Sequence, residues 1–162
     1  MYAVALGMAG RWYAPCDHGY MSSTGPTGYS LGNKCGGACN QGKLLREHQI
    51  TEISRACSRP PYNNSFYEDR VFQARVTYDI TAGLVFTYDS PRNLRNKLCK
   101  AKTNATNVKY TFAAADIQLE DPNGTCGYGP FPRLYMLKKL AAFFADNYTS
   151  AGREGQCRAV TY

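Results

Sequence analysis

The sequence contains no long hydrophobic run and no block of like charges. No stretch approaches the ~18 apolar residues that a membrane-spanning helix needs. The 19 Lys and Arg residues outnumber the 12 Asp and Glu residues, which gives a net charge of +7, but no run reaches the roughly five or six like charges typical of a nucleic-acid-binding tail. We therefore interpret the basic residues as solvated helix faces, and we expect neither a membrane partner nor a nucleic-acid partner.

The usual signatures of nucleophilic, phosphate-binding and metal-dependent enzymes are also missing. The chain has two histidines and one tryptophan, no G-x-S-x-G motif, and no Lys-Ser/Thr after its paired glycines at 36–37. Four residues have side chains that ligate zinc, but their spacing matches no standard zinc finger: Cys16, His18, Cys35 and Cys39. We expect no metal site and no cofactor.

Cysteine, in contrast, is abundant. The seven cysteines, at positions 16, 35, 39, 57, 99, 126 and 157, indicate an oxidising compartment. Because seven is odd, at least one thiol is free or bonds to another chain. Cys99, which falls inside a predicted helix, is our candidate for that thiol.

Four Asn-x-Ser/Thr sequons agree with this compartment. They begin at Asn63, Asn104, Asn123 and Asn147, whereas ten asparagines at this Ser/Thr content would give about one match by chance. We therefore predict a secreted, extracellular glycoprotein. No signal peptide is recognisable, because the apolar run at residues 2–9 is short and follows no positive charge. We expect that an N-terminal part of the protein is missing from this chain.

The segment from Leu84 to Leu140 predicts alternating strands and helices. An apolar strand ends near Tyr88, and Asp89 or Ser90 is expected to cap a helix with a proline in its first turn. A second strand with alternating apolar residues follows at 108–114, then an acidic run at 116–121 and an amphipathic helix. This order of strand, helix, strand and helix predicts a parallel sheet.

The chain before this segment predicts a strand, a long loop, a helix and a hairpin. Tyr2–Met8 is typical of a buried strand, and the Gly-rich stretch at 16–42 is typical of a loop. A helix is expected over Leu44–Cys57, ended by the prolines that follow. Val71–Tyr78 and Leu84–Tyr88 are expected to pair as a hairpin. We predict a mobile tail after Tyr148, except where Cys157 holds it.

Three segments, in order, resemble glycoside hydrolase family 18. Residues 88–97, YDSPRNLRNK, are similar to the pattern YD-x-P-x-S-[IL]-x-x-K, which opens the seventh barrel helix of that family. Residues 116–121, DIQLED, followed by CGYG at 126–129 and FPRL at 131–134, are similar to the family's ending W-A-L-D-x-D-D…C-x-x-G-x-Y-P-L. Residues 4–12, VALGMAGRW, resemble the strand G-x-P-x-Y-G-R-x-F.

This resemblance, to chitinases and chitinase-like lectins, implies an α/β fold taken from the C-terminal third of the family. Residues 1–12 and 88–148 would form the last two βα units of a (β/α)8 TIM barrel, with Tyr2–Met8 and Lys109–Ala115 as parallel neighbours. Residues 13–87 would form an inserted α+β chitinase insertion domain, and residues 149–162 a tail. A complete barrel usually needs about 250 residues, so a chain of 162 residues is expected to be a fragment.

The resemblance also implies a disulfide between Cys57 and Cys126. Spacing alone does not choose among pairings. The pairing of the other cysteines stays open: Cys16, Cys35, Cys39, Cys99 and Cys157.

The proton donor of the family does not occur in this chain. In family 18 the donor is the Glu of D-x-x-D-x-D-x-E, acting with the acetamido oxygen of the substrate, and we therefore predict no catalytic residue here. The acidic run is a poor substitute. On a strand, Asp116 and Glu120 would stand about 13 Å apart at ~3.3 Å per residue, whereas paired glycosidase carboxyls lie about 5 to 9.5 Å apart. The run is expected to anchor a helix or a loop instead.

The sugar-binding floor of the family is altered as well. The positions of its stacking Trp, its strand Tyr and its insertion-domain Glu fall on Ala115, Ala9 and Arg55, and alanine gives a sugar ring almost no apolar area. Arg11 matches a substrate-contacting position. Trp12 and Tyr13 leave the first strand on its C-terminal side, where barrel sites are built. We predict that these three residues contact substrate, with core packing as the alternative for Trp12.

Together these features predict a fragment of a secreted, chitinase-like protein that binds chitin-type oligosaccharide or is degenerate, and that is inactive as it stands. One alternative is a fragment of an active chitinase that hydrolyses β-1,4-N-acetylglucosamine chains, with the acidic motif upstream. Another is a secreted module that binds a protein partner. The sequence does not predict the oligomeric state.

Overall fold

A computed structural model describes residues 2–13, 50–79, 81–146 and 148–162. In chain order the strands are β1 (Tyr2–Gly7), β2 (Gly10–Tyr13), β3 (Ile50–Thr51), β4 (Tyr67–Asp69), β5 (Ala74–Asp79), β6 (Leu84–Tyr88) and β7 (Tyr110–Ala115). The helices are α1 (Ser54–Cys57), α2 (Pro91–Thr103), α3 (Pro132–Asp146) and α4 (Glu154–Arg158), and short 3-10 turns lie at Tyr62–Asn64, Ile117–Leu119 and Ala151–Arg153.

Strands β1 and β7 form a two-stranded parallel sheet. Their register runs from Tyr2 opposite Tyr110 to Gly7 opposite Ala115. The expected parallel pairing of these two segments is therefore confirmed. Helices α2 and α3 pack beside this sheet over a core that contains Met8, Leu98, Met136, Leu140 and Phe144. The two paired strands are distant in sequence, because Tyr2 of β1 and its partner Tyr110 of β7 are 108 positions apart.

The other strands form a five-stranded antiparallel sheet in the order β3-β2-β6-β5-β4. The hairpin of β5 and β6 is confirmed, with Asp79 opposite Leu84. The expectation that β6 begins a parallel βαβ unit with β7 is wrong, because β6 is hydrogen-bonded antiparallel to β5 on one side and to β2 on the other. With both edges of β6 occupied, the strand that follows α2 pairs with β1 instead.

The antiparallel sheet also moves the expected boundary between the two parts of the chain. Residues 10–12 and 88, which we assigned to the barrel portion, lie in β2 and β6. Gly10 permits this, because a Cβ atom there would lie 2.0 Å from the Phe86 ring. The Phe86 ring lies close against the Gly10 backbone while β2 pairs with β6, so the antiparallel sheet begins at Gly10.

Helix α2 begins as its sequence indicates. The Ser90 hydroxyl accepts a hydrogen bond from the Asn93 N–H at 3.2 Å, and Pro91 takes the first helical position. At the other end the buried Lys102 ammonium donates to the carbonyls of Ala105, Thr106 and Val108. Burial lowers the pKa of Lys102. Lys102 therefore fastens the turn that follows α2, in which the Ala105 carbonyl also accepts the Val108 N–H at 3.1 Å.

Three other local expectations differ from the structure. The helix expected over 44–57 is, within the described residues, strand β3 followed by the single-turn helix α1. Strand β5 begins at Ala74 rather than residue 71, because the Asp69 carboxylate accepts the N–H groups of Val71 and Phe72 at 2.9 Å and turns the chain there. The acidic run is no strand, since Asp116 has a φ of 56° and starts the 3-10 turn Ile117–Leu119.

Two disulfides join distant elements. Cys57 at the end of α1 bonds to Cys126 in the loop before α3, which is the pair that the resemblance implies. Cys99 on α2 bonds to Cys157 on α4, so our candidate for the unpaired thiol is wrong. The reason is that the tail does not run free: its 3-10 turn and helix α4 return across α2, and Arg95 Nη1 donates to the Val160 carbonyl at 2.7 Å.

Candidate functional site

The carboxyl ends of β1 and β7 are where binding residues would lie in a parallel α/β protein. The Met8 N–H donates to the Ala115 carbonyl at 2.9 Å, so the two strands remain paired to their last residues. The end of β7 is a run of exposed alanines, Ala113–Ala115. Alanine offers no ring on which a sugar could stack. This edge of the sheet therefore presents only small side chains.

Glu120 and Arg133 form a fully buried pair beneath that edge. The two Glu120 carboxylate oxygens accept from the Arg133 backbone N–H at 2.9 Å and from Arg133 Nε at 2.6 Å, and Glu120 is 0% exposed. Arg133 Nη2 donates to the Met8 carbonyl. The pair therefore connects the end of β1 to the first turn of α3. Both carboxylate oxygens of Glu120 accept hydrogen bonds from Arg133. Glu120 is therefore unsuited to exchange a proton with a substrate.

Asp121 is committed in the same way. Its carboxylate accepts from the Thr125 N–H at 2.9 Å and from the Cys126 N–H at 2.7 Å. These bonds fix the loop that carries the Cys57–Cys126 disulfide. The acidic run thus anchors one helix and one loop, which is the role expected from its sequence, although the strand geometry used for that argument is wrong.

The three predicted substrate-contacting residues do not lie on one surface. Side chains alternate along a strand, so Arg11 and Tyr13 of β2 face one side of the antiparallel sheet and Trp12 faces the other. Arg11 is exposed and Tyr13 is half-buried. Arg11 and Tyr13 therefore share a face of the sheet that Trp12 does not.

Trp12 lies in the core rather than at a surface. It is 3% exposed, its Nε1 donates to Thr51 Oγ1 at 2.8 Å, and its ring contacts the rings of Tyr62 and Phe86 at centroid distances of 5.0 and 4.7 Å. A sugar could stack on the indole only by displacing these rings. The core-packing alternative for Trp12 therefore agrees with the structure better than a substrate contact.

A polar cluster that the sequence did not reveal lies between the antiparallel sheet and α2. The Arg75 guanidinium stands over the rings of Phe66 and Tyr128, at 5.0 and 5.4 Å from their centroids, and Nη1 donates to the Tyr128 hydroxyl at 2.7 Å and to Glu68 at 3.1 Å. Nearby, burial raises the pKa of Tyr88 well above its usual value. Nothing in the strand pattern of β5 distinguishes Arg75 from an ordinary outward-facing arginine.

Three of the four sequon asparagines are accessible. Asn63, Asn104 and Asn123 are exposed and lie in turns or at a helix end. Asn147 lies outside the described residues, as do the four zinc-capable residues at positions 16, 18, 35 and 39. Within the described ranges no group of three or more His, Cys, Asp and Glu side chains is placed to hold a metal ion.

None of the helices in the described part of the chain combines the length and apolar character that crossing a bilayer requires. Two disulfides are present there. In comparisons with known proteins, no protein-family model matches the chain, and no curated protein matches it.

Proposed function

We propose that the chain is the C-terminal part of a secreted, chitinase-like protein of glycoside hydrolase family 18, which contributes to binding a chitin-type oligosaccharide and supplies no catalytic acid. The observation that carries the proposal is the parallel pairing of β1 with β7, with an antiparallel lobe between β1 and α2. This order matches the one that the family motifs imply.

The exposure of the small parallel sheet supports the barrel portion of the proposal. Tyr2 is 74% exposed and Val4 39% exposed, although both belong to a strand with apolar side chains throughout. Among the described strands, β1 pairs only with β7 and β7 only with β1. Open strand edges and exposed apolar faces are the features that neighbouring strands of a closed barrel would cover.

The disulfides and sequons support secretion. Two disulfides cross-link the described chain, and such bonds persist mainly in oxidising compartments. Three sequon asparagines are exposed, as attachment of a glycan requires.

A pair of arginine variants tests the oligosaccharide part. Arg11 on β2 and Arg59 just after α1 are both exposed, but only Arg11 matches a substrate-contacting position of the family. We expect binding of chitohexaose to the pure chain, measured by isothermal titration calorimetry, to be weakened by Arg11→Ala and unchanged by Arg59→Ala. Absence of binding in the unaltered chain, or equal loss in both variants, would contradict a family-type contact at Arg11.

The coding sequence upstream of Met1 tests the barrel part. Further βα units there would support the proposal, and a signal peptide placed directly before Tyr2 would favour the secreted protein-binding module. Release of chromophore from a chromogenic chito-oligosaccharide by the pure chain, above a heat-denatured control, would refute the claim that it supplies no catalytic acid. Release by a longer protein containing D-x-x-D-x-D-x-E would instead favour the active chitinase.

A further inference from the structure

A polar cavity of about 570 Å³ lies away from the ends of the parallel strands. It is bounded by the turn between β4 and β5, by the first half of α2 and by α4. Its size falls in the range of about 300 to 1,000 Å³ that small-molecule sites occupy. Nothing in the family resemblance assigns a role to this place.

Three arginines from three different elements line the cavity. Arg70 comes from the turn, Arg92 from α2 and Arg158 from α4. Within the described residues, no hydrogen bond or ion pair engages the guanidinium groups of Arg70 and Arg92. Arg158 is paired with Glu154 on its own helix.

The two acidic residues in the cavity wall already have partners. Glu68 accepts from Arg75 at 3.1 Å and from the Asn93 side-chain amide at 2.8 Å. Asp69 accepts two backbone N–H groups of the turn, both at 2.9 Å. The carboxylates of Glu68 and Asp69 are therefore already hydrogen-bonded to neighbouring groups. The guanidinium groups of Arg70 and Arg92 remain available to bind a ligand.

The polar side chains between the arginines are held in place before any ligand arrives. Gln73 has a φ of 52°, a conformation that is uncommon for a residue other than glycine and that often occurs at functional sites. Its amide donates to the Arg70 carbonyl at 2.7 Å and accepts from the Asn96 amide at 3.2 Å. The turn and the helix are thus locked together across the cavity, and a preorganised site loses less entropy on binding.

The surroundings of Arg95, one helical turn from Arg92, show the same excess of positive charge. Burial is the main cause that lowers the pKa of Arg95, and the nearby charges of Arg92 and Arg158 lower it further. Helix α2 itself has five basic residues and no acidic one: Arg92, Arg95, Lys97, Lys100 and Lys102. An anion placed near the guanidinium groups of Arg92, Arg95 and Arg158 would relieve their mutual repulsion.

We propose that this cavity binds the sulfate or phosphate monoester group of a small ligand such as a sugar ester. Guanidinium groups present planar pairs of donors that match such oxyanions. The amides of Asn96 and Gln73 lie beside the arginines, where they can meet hydroxyl groups of the same ligand. The inference does not rest on the proposed chitinase-like function, because the cavity uses neither the parallel strands nor Arg11.

The test measures binding of small anions to the pure chain at low ionic strength, where screening is weak. Isothermal titration calorimetry with N-acetylglucosamine 6-sulfate, N-acetylglucosamine 6-phosphate, inorganic sulfate and inorganic phosphate identifies the group that is recognised. Unmodified N-acetylglucosamine is the neutral control. We expect saturable binding of at least one sugar ester and none of the neutral sugar.

Two variants that each remove one positive charge distinguish binding in the cavity from nonspecific attraction to the basic surface. Arg92→Gln removes an exposed cavity arginine, and Lys139→Gln removes an exposed positive charge on α3. Loss of one charge-assisted hydrogen-bonding group is expected to weaken binding by about tenfold or more, so Arg92→Gln should show this loss and Lys139→Gln should not. Unchanged thermal unfolding of both variants verifies that they are folded.

Three results would overturn the proposal: no saturable binding of any ester, equal weakening by the two variants, or equal binding of the neutral sugar. A preference for the sulfate or for the phosphate ester would support it and identify the source of the anion. If the inorganic ions bind as tightly as the sugar esters, the oxyanion site is supported and the sugar hydroxyl contacts at Asn96 and Gln73 are overturned.

Discussion

Replacing Glu120 by glutamine should destabilise this protein more than any single change to a surface charge. In the native chain the Glu120 carboxylate accepts from both the backbone N–H and the Nε of Arg133, and both side chains are at most 1% exposed. The glutamine side chain keeps one acceptor oxygen for these two donors. Its NH₂ group would face the guanidinium, donor against donor, and the arginine would become a buried charge without a counterion.

The expected loss is large relative to the total stability. Removing one partner of a buried ion pair typically costs about 3 to 5 kcal/mol, whereas an ordinary domain is stable by only about 5 to 15 kcal/mol. For a chain of this size, about 1 kcal/mol shifts the melting temperature by about 2 to 4 °C. We therefore expect Glu120→Gln to lower the melting temperature by about 6 to 20 °C.

Urea denaturation followed by circular dichroism, with thermal melting in parallel, measures the effect. Asp89→Asn is the matched control, because Asp89 pairs with Lys97 at 2.6 Å but the two side chains are 33% and 41% exposed. Such an exposed pair contributes about 0.2 to 1 kcal/mol. The difference between the two variants isolates the contribution of burial.

A double variant tests whether the loss comes from an uncompensated buried charge. Glu120→Met with Arg133→Leu removes both charges, so no buried charge is left uncompensated, and it should be less destabilised than Glu120→Gln. It still leaves the Met8 carbonyl without its donor. If Glu120→Gln loses no more free energy of unfolding than Asp89→Asn, the pair is not the link between β1 and α3 that its geometry indicates.

Three further predictions follow from other contacts. Gly10→Ala should cost about 1 to 3 kcal/mol or more, because its Cβ would lie 2.0 Å from the Phe86 ring; an unchanged urea midpoint would show that β2 and β6 can separate freely. Replacing Cys99 and Cys157 together by alanine should cost about 4 kcal/mol for a closed loop of 58 residues, and an unchanged melting temperature would contradict it. Burial raises the pKa of Tyr67 from 10.0 to about 12, so its contribution to stability is present below pH 10 and is lost as the pH rises toward about 12. Tyr67→Phe should therefore flatten the fall of the unfolding free energy over that interval, and an identical slope in the variant would count against the assignment.

Local features of this fold were largely predictable from sequence. The Ser-Pro start of α2 follows from capping chemistry, since a hydroxyl accepts the N–H three residues on and proline needs no donor in the first turn. The hairpin between β5 and β6 follows from two apolar strands and a short turn. Each of these signals lies within a few residues of the element that it specifies.

Partnerships between distant segments were less predictable. The alternation in Leu84–Tyr88 indicates a strand but carries no information about the direction of its neighbours, so the antiparallel partner β2 was missed. The pairing of Cys99 depends on a tail that returns across α2, and no spacing rule encodes that path. The parallel pairing of β1 with β7 was predicted only because the family motifs fixed their order.

For the candidate site, the roles of individual residues were easier to predict than their positions in the fold. The geometry of two nearby carboxylates already argued for anchoring, and Glu120 and Asp121 do anchor α3 and a loop. The split of Arg11 from Trp12 follows from the alternation of β2, but only once that segment is known to be a strand. The arginine cavity draws on three elements far apart in sequence, and a single chain without its fold shows only scattered basic residues.

The two disulfides interleave along the chain, because Cys57 precedes Cys99, which precedes Cys126, which precedes Cys157. Any one peptide bond cleaved between residues 57 and 157 is therefore spanned by at least one of them. A protease that nicks an exposed turn in this region leaves two pieces that migrate as one until a thiol is added. Intact mobility on a non-reducing gel consequently says nothing about whether the backbone is whole between residues 57 and 157.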